Sequence, residues 1–213
     1  GGKVAINNNY GKNLVGAFYQ PKLVLSDTEV LKTLDARQFK TGLAEVIKYG
    51  FIEKNCNCET CYNFLEFLTQ NRQQIFEQEE NVMQKLVEIC CVLKASVVFQ
   101  DEKESGLRQI LNFGHTYGHA VEKITNYNTF THGEAVAIGM EFIFQKALKE
   151  NLITKDYCEF AINLIKEYDL IPTNTCVLDV EKVLENMKYD KKVENGKIKF
   201  VIPIEYAQVD ILF

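Results

Sequence analysis

The chain is poor in histidine, proline and positive charge, and it contains no long apolar run. Among 213 residues there are three histidines, three prolines and 12 glycines, and no low-complexity linker or internal repeat interrupts the sequence. With 46% hydrophobic residues the length suffices for one large domain or two small ones around a substantial core. Acidic residues outnumber basic ones by 29 to 24, for a net charge of −5 and a pI near 5.4. That balance argues against partners such as nucleic acid or an anionic membrane, which require clustered positive charge. An anionic ligand would have to be held by a few local cations.

No stretch approaches the roughly 20 apolar residues that span a bilayer. The opening GGKVAINNNYGKN also lacks the hydrophobic core of a secretory signal, so a cytoplasmic location is expected. Seven cysteines is an odd number and Cys90 and Cys91 are adjacent, which suits reduced thiols better than a disulfide framework. Cys56, Cys58 and Cys61 form a CxCxxC cluster. A closed zinc site takes four ligands and no fourth Cys or His lies nearby, so the segment reads either as a soft-metal cluster or as a variable loop between helices.

The organisation is mainly α. Residues 1–26 are Gly/Asn-rich and loop-like, then pass through YQPKLVLSD, whose stretch after Pro21 reads as a short strand or extended segment. Ser26 and Asp27 offer a helix cap. From about 28 to 170 apolar residues recur at spacings of three and four, the signature of a helix bundle, and DVEKVLENMKYDKK adds a last helix. Asn195–Gly196 and the alternating KIKFVIPIEYAQVDILF suggest a turn with short strands. The reading is one unit over 1–213: a loop or strand segment at 1–26, a helical body at 27–190 and terminal strands at 191–213.

All three histidines, His115, His119 and His132, fall in one 18-residue window, and imidazole both binds metals and moves protons near neutral pH. His115 and His119 are four apart and share a face if the segment is helical, with Gly114 and Gly118 keeping that face uncrowded. Thr116 stands where a zincin has glutamate, which argues against a metalloprotease. His132 opens a further helix beside Gly133. Glu45, set among Leu43, Ala44, Val46 and Ile47, requires a partner if it is buried. Two imidazoles and one carboxylate would leave an open coordination position on a zinc-like ion. Spacing alone leaves the alternative of satisfied structural histidines and an exposed Glu45–Lys48 pair. Lys94, Arg108, Lys3 and Lys12 are the local cations, and Arg108, Asn112 and His115 would point into one pocket on a continuous helix.

In the order GGKVAINNNYGKNLVGAFYQPKLVLSD, LKTL, GLAEVIKYGFI, the Lys94 helix, GLRQILNFGHTYGHAVE and HGEAVAIGM, the chain resembles the C-terminal, metal- and substrate-binding domain of the 3-dehydroquinate synthases. The resemblance implies a helical bundle of that fold and a zinc or cobalt ion on Glu45, His115 and His132, with His119 free to transfer protons. It implies catalytic roles for His119, Lys48 and Arg108. Lys3, Asn13, Lys48, Lys94, Arg108, Asn112 and a C-terminal lysine, Lys199, would surround a seven-carbon 2-keto acid phosphate. Lys12 and Val30, Leu31, Lys32 and Thr33 would touch NAD. The implied reaction oxidises one hydroxyl with NAD, expels phosphate, reduces again, opens the ring and closes it by an aldol step. Val4 replaces the family's usual threonine, and CxCxxC is not part of its pattern. An N-terminal Rossmann-like α/β domain is missing from this chain, so NAD binding should be weak and the chain alone inactive. A homodimer is a further implication. The rivals are a related sugar-phosphate cyclase, a metal-dependent alcohol or glycerol dehydrogenase, and a non-catalytic metal-stabilised helical module.

Overall fold

The computed structural model describes every residue except 1, 10, 59–61, 174–177, 189–192, 195, 196 and 213, and leaves out the side chains of 7, 11–13, 188, 193, 194 and 197 as well. A ribbon of β1 (Lys3–Asn8) and β2 (Gly11–Phe18) leads into a 3-10 turn, Thr28–Thr33, and then into α1 (Ala36–Ile52). After a short 3-10 turn come α2 (Phe64–Gln70), α3 (Arg72–Phe76) and α4 (Glu80–Gln100). The 3-10 segment Leu107–Asn112 precedes α5 (His115–Ile124), α6 (His132–Lys149), α7 (Lys155–Glu167) and α8 (Val180–Lys188). Two small antiparallel hairpins follow, β3 (Val193–Glu194) with β4 (Lys197–Ile198) and β5 (Phe200–Glu205) with β6 (Gln208–Leu212). The mainly helical architecture agrees with the sequence pattern.

The helices form where the sequence places apolar residues on one side. In α1 the buried Phe39, Leu43, Ala44, Ile47 and Phe51 follow the three-and-four spacing, and Asp35 caps the start by accepting from the Gln38 amide at 2.9 Å. Helix α6 runs through the centre, packed by α1, α5 and α7. At the junction of α1 and α6, Phe51, Phe113 and Phe144 meet edge to face, with centroids 4.8 to 6.1 Å apart, the geometry that aromatic quadrupoles favour. A second cluster of Tyr117, Val121, Phe130, Ala135, Ile138, Val183 and Met187 joins α5, α6 and α8.

The N-terminal segment departs from expectation. Lys3–Asn8 form a strand, not a loop, and the residues after Pro21, expected as a short strand or extended segment, pair in no strand. Lys3 pairs with Phe18 and Ile6 with Val15, and Gly16 allows the close approach, since a Cβ there would lie 2.2 Å from the Val4 carbonyl oxygen. Val4, Ile6, Leu14, Val15 and Phe18 are all exposed, so no buried face imposes an alternating pattern on the sequence. Asp27 does cap, but it caps the 3-10 turn, through the Glu29 amide. The Asn195–Gly196 turn lies outside the described residues, while the strands expected after it are present. Cys56, Cys58, Cys90, Cys91 and Cys158 are free thiols; Cys61, and with it the full CxCxxC cluster, lies outside the described residues. Among the described residues no helix is long and apolar enough to cross a membrane.

Helices α5 and α6 cross with backbone against backbone: a Cβ on Gly139 would lie 2.0 Å from the Gly114 carbonyl oxygen. Gly139→Ala is therefore expected to destabilise the fold by about 1–3 kcal/mol in urea denaturation, because neither chain can retreat. A change below about 0.5 kcal/mol, the size of an ordinary surface substitution, would show the crossing to be looser than described.

Candidate metal centre

Three separate elements supply the site, and local interactions fix each one. Helix α6 opens with a capping box in which the Thr131 hydroxyl accepts from the Glu134 amide at 3.3 Å and the Glu134 carboxylate accepts from the Thr131 amide at 2.8 Å. Arg37 of α1 grips that same carboxylate with two bonds of 2.7 Å and also donates to the Thr129 carbonyl at 2.9 Å. The Thr41 hydroxyl bonds the Thr131 hydroxyl at 2.7 Å. Gly133 lets the two backbones touch, for a Cβ there would sit 2.3 Å from the Thr41 carbonyl oxygen. Glu45, one turn beyond Thr41 on α1, is thereby carried to His132, the first residue of α6.

His115 begins α5 after Gly114, whose φ of +74° turns the chain and whose missing side chain leaves room for Met140 and the Val136 carbonyl. Its Nδ1 lies 2.9 Å from the Phe113 carbonyl oxygen. That oxygen can only accept, so the proton sits on Nδ1 and Nε2 keeps its lone pair. Nε2 of His115 is 3.1 Å from Glu45 Oε1, and Nε2 of His132 is 3.4 Å from the same oxygen. Oε1 is shielded from solvent and receives no hydrogen bond. The three ligand atoms thus converge without satisfying one another. A tetrahedral ion with bonds of about 2.0–2.1 Å holds its ligands roughly 3.3–3.4 Å apart, so the residues present fit a zinc-like ion.

The electrostatics fit a cation as well. Burial pushes the Glu45 carboxyl up, but His115, His132 and Lys48 outweigh it and hold the group far below the usual carboxylate range. Lys48, 3% exposed, places Nζ 2.5 Å from Glu45 Oε2; burial pulls its ammonium down and Glu45 only partly restores it. Burial also lowers His115. His132 is the first residue of a helix, where the dipole disfavours an imidazolium, yet Glu122 and then Glu45 raise it to about 9. His119, one turn beyond His115, has its ring centroid 5.5 Å from that of His115 and 6.0 Å from that of His132.

The anion-facing residues are arranged differently from expectation. Arg108, Asn112 and His115 do not lie on one helix, because the 3-10 segment ends at Asn112 and Gly114 breaks the path before α5. Gly118 likewise serves helix packing and not the histidine face, since a Cβ there would lie 2.9 Å from the Ala135 carbonyl. Arg108 is 2% exposed, and its Nη1 donates to the Glu102 carbonyl at 2.5 Å. Glu104 joins Lys3 to Asn112, pairing with the Lys3 ammonium and accepting from Asn112 Nδ2 at 3.0 Å. Lys94 is exposed on α4 but close enough to depress the Lys48 ammonium, and it lines an open groove of about 840 Å³ with Gln20, Val24 and Phe99. Lys199 is half-buried between β4 and β5. Val30, Leu31, Lys32 and Thr33 form the 3-10 turn beside α4, where Lys32 pairs with Glu29. Lys12 and Asn13 lie on β2 with side chains outside those described.

Sequence reasoning passed over Glu104, Glu122 and the Arg37–Glu134 fork. Glu104 has a left-handed φ of 61° in a loop, and no periodicity marks it. Glu122 follows His119 by three on α5, a helical spacing that could have flagged it. His119, Glu122 and His132 form a second group whose potential ligand atoms lie within 4.8 Å of one another.

The helical fold of this chain recurs in synthases solved with NAD+ and a divalent metal ion. The 2-epi-5-epi-valiolone synthase from Streptomyces hygroscopicus subsp. jinggangensis, solved with NAD+ and Zn2+, has the same fold, with a TM-score of 0.82 at 22% identity over 100% of this chain and 57% of that one. A 2-deoxy-scyllo-inosose synthase complexed with carbaglucose-6-phosphate, NAD+ and Co2+ gives a TM-score of 0.71 at 26% identity, over 97% of this chain and 54% of that one. The sequence narrows the class further: residues 42–193 match the profile of the 3-dehydroquinate synthase C-terminal region and residues 1–41 that of the N-terminal region, and the chain belongs to the 3-dehydroquinate synthase family. The 3-dehydroquinate synthase of Desulforamulus reducens is 43% identical over 99% of this chain, and that of Picosynechococcus sp. is 46% identical over 98%. The chain spans 56–57% of the length of these relatives.

Asp101 organises the loop that carries Arg108, accepting from the amides of Ser105, Gly106 and Arg108 at 2.8 to 3.0 Å, and these bonds hold its carboxyl down at about 2. Because the folded group is the stronger acid, its contribution to stability is complete above the usual carboxylate range and fades as the pH falls toward about 2. Asp101→Asn should flatten that acid limb of a stability-against-pH curve; an unchanged limb would remove Asp101 from the account.

Proposed function

We propose that the chain is the metal- and substrate-binding part of a 3-dehydroquinate synthase, which converts a seven-carbon 2-keto acid phosphate, 3-deoxy-arabino-heptulosonate 7-phosphate, to 3-dehydroquinate and phosphate. The observation that carries this reading is the convergence of Glu45, His115 and His132 on one point, with Oε1 of Glu45 buried and receiving no hydrogen bond. NAD is the redox cofactor, as it is bound in the two synthase structures, and the longer relatives supply the chain length that its binding would draw on. The residues 1–26, 27–190 and 191–213 act here as one unit, and the working enzyme is a cytoplasmic homodimer on the strength of its family.

Glu45, His115 and His132 would hold zinc or cobalt. When bound, such an ion acidifies and orients nearby hydroxyls and stabilises enolate charge, while NAD takes and returns a hydride. Lys48 keeps Glu45 ionised and presents a desolvated ammonium to the substrate. Arg108 and Asn112, with Lys3, Lys94, Asn13 and Lys199, bind the carboxylate and phosphate ends, and the bidentate guanidinium suits a leaving phosphate. Set beside the other two imidazoles and not needed as a ligand, His119 moves protons between substrate oxygens near neutral pH. Lys12 and the Val30–Thr33 turn lie on the NAD side.

Two variants separate these roles. Glu45→Gln should weaken zinc binding by more than about 100-fold, while the helical circular dichroism persists because the aromatic core does not depend on the site. His119→Asn should leave zinc affinity within a few-fold and abolish turnover in the full-length protein, followed as phosphate release from the heptulosonate phosphate. Turnover of a simple polyol in place of that substrate would reject the synthase reading, and loss of the helical signal on chelation would make the metal structural.

A further inference from the structure

Glu122 is a carboxylate 6% exposed on α5, and none of the roles above uses it. Its Oε2 lies 3.4 Å from Nδ1 of His132, while Nε2 of the same ring faces Glu45 Oε1, also at 3.4 Å. A carboxylate from a different helix therefore stands off each nitrogen of the ring. His115 shows the same arrangement with a different anchor, Nδ1 against the Phe113 carbonyl and Nε2 toward Glu45. The two rings differ in how firmly packing holds them: the side chain of His115 is 12% exposed and that of His132 is 42% exposed. Packing can orient the first ring, but the second needs a tether. An untethered imidazole divides its proton between two tautomers, only one of which leaves the lone pair on Nε2.

We propose that Glu122 is the positioning residue of the metal centre: it accepts the Nδ1–H of His132, fixes the tautomer, and aims Nε2 at the point shared with Glu45 and His115. The proposal rests on the metal site argued above. A carboxylate behind a ligating imidazole fixes the ring and strengthens the nitrogen donor, and removing such a partner typically weakens metal binding by about 10–100-fold. The competing use of the same atoms is a second ion held by His119, Glu122 and Nδ1 of His132. The two uses exclude each other, because Nδ1 cannot both donate a proton to Glu122 and ligate, and the buried Glu45 Oε1, which receives no hydrogen bond, favours an ion on the side of Glu45 and His115.

The test is zinc binding to the full chain, by competition with a chelating indicator, combined with nitrogen–proton correlation spectra of the imidazole rings. The zinc-loaded wild type should bind one equivalent and show the His132 proton on Nδ1. Glu122→Ala should lose about 10–100-fold in zinc affinity and show mixed His132 tautomers, with His115 unchanged. Glu122→Gln, which keeps an oxygen acceptor, should fall between the two. A residue that served only to fill space would lower the melting temperature without shifting the tautomer. The wild-type spectrum decides the matter even if the alanine variant does not fold: a metal on Nδ1, a second zinc equivalent, or a bare Nδ1 overturns the proposal, as does an alanine variant within twofold of wild type. Failure of zinc to bind the wild type at all would instead sink the metal site, and the His132 tautomer of the deprotonated, metal-free ring would still judge Glu122.

Discussion

The backbone of α6 touches the backbone of α1 where Gly133 meets Thr41, and the candidate site depends on that approach. A side chain at 133 would hold the two helices apart and carry His132 away from Glu45. The approach is secured on both sides of the glycine by polar bonds, the Arg37 fork onto Glu134 and the Thr41–Thr131 hydroxyl pair, while the Phe51–Phe113–Phe144 cluster fastens the same two helices further along. Steric permission, polar registration and apolar packing thus act at successive points along one helix pair. Arg37 is half-exposed, so its charge alone contributes little; its value is the bidentate geometry that fixes α6 in rotation as well as distance.

The cost of the site is local and electrostatic. A lysine buried beside a carboxylate gains stability poorly, because desolvation offsets most of the attraction, and a core of the same volume made of leucine would hold the helices at least as well. Keeping Glu45 and the buried Lys48 side by side on α1 is intelligible only if their charges are used. The two imidazoles differ: burial at the start of α5 favours the neutral His115 ring that a metal requires, whereas Glu122 and Glu45 favour a proton on His132, which a metal ion would have to displace. Flanking carboxylates on one ring and a carbonyl on the other show that orientation of these histidines is controlled from behind as well as from in front.

Much of this was legible in the sequence. Three-and-four spacing located the long helices, and the crowding of all histidines into one window pointed to a shared site before any contact was known. The N-terminal ribbon escaped notice because both its faces are exposed, so no alternation marks it. The broken path from Asn112 to His115 escaped because a glycine in the left-handed region ends one helical segment and starts another without changing the apolar period. Glu104 and Glu122 were missed for a common reason: each acts on a residue distant in sequence or across a helix pair, and a lone glutamate looks the same whether it faces solvent or an imidazole.

By itself the sequence determined which residue types can do the chemistry and which helices carry them, since side-chain donors, turn-forming glycines and apolar periodicity are properties of short segments. Only the tertiary structure decided that Glu45, from α1, meets two rings that begin α5 and α6, and that each ring turns its Nε2 toward the same oxygen. The reason is that such convergence depends on how deeply the helices cross at Gly133, Gly114 and Gly139, where a Cβ would lie only 2.0 to 2.6 Å from an atom of the facing segment. Those depths are set by what packs around each helix and cannot be read from its own residues.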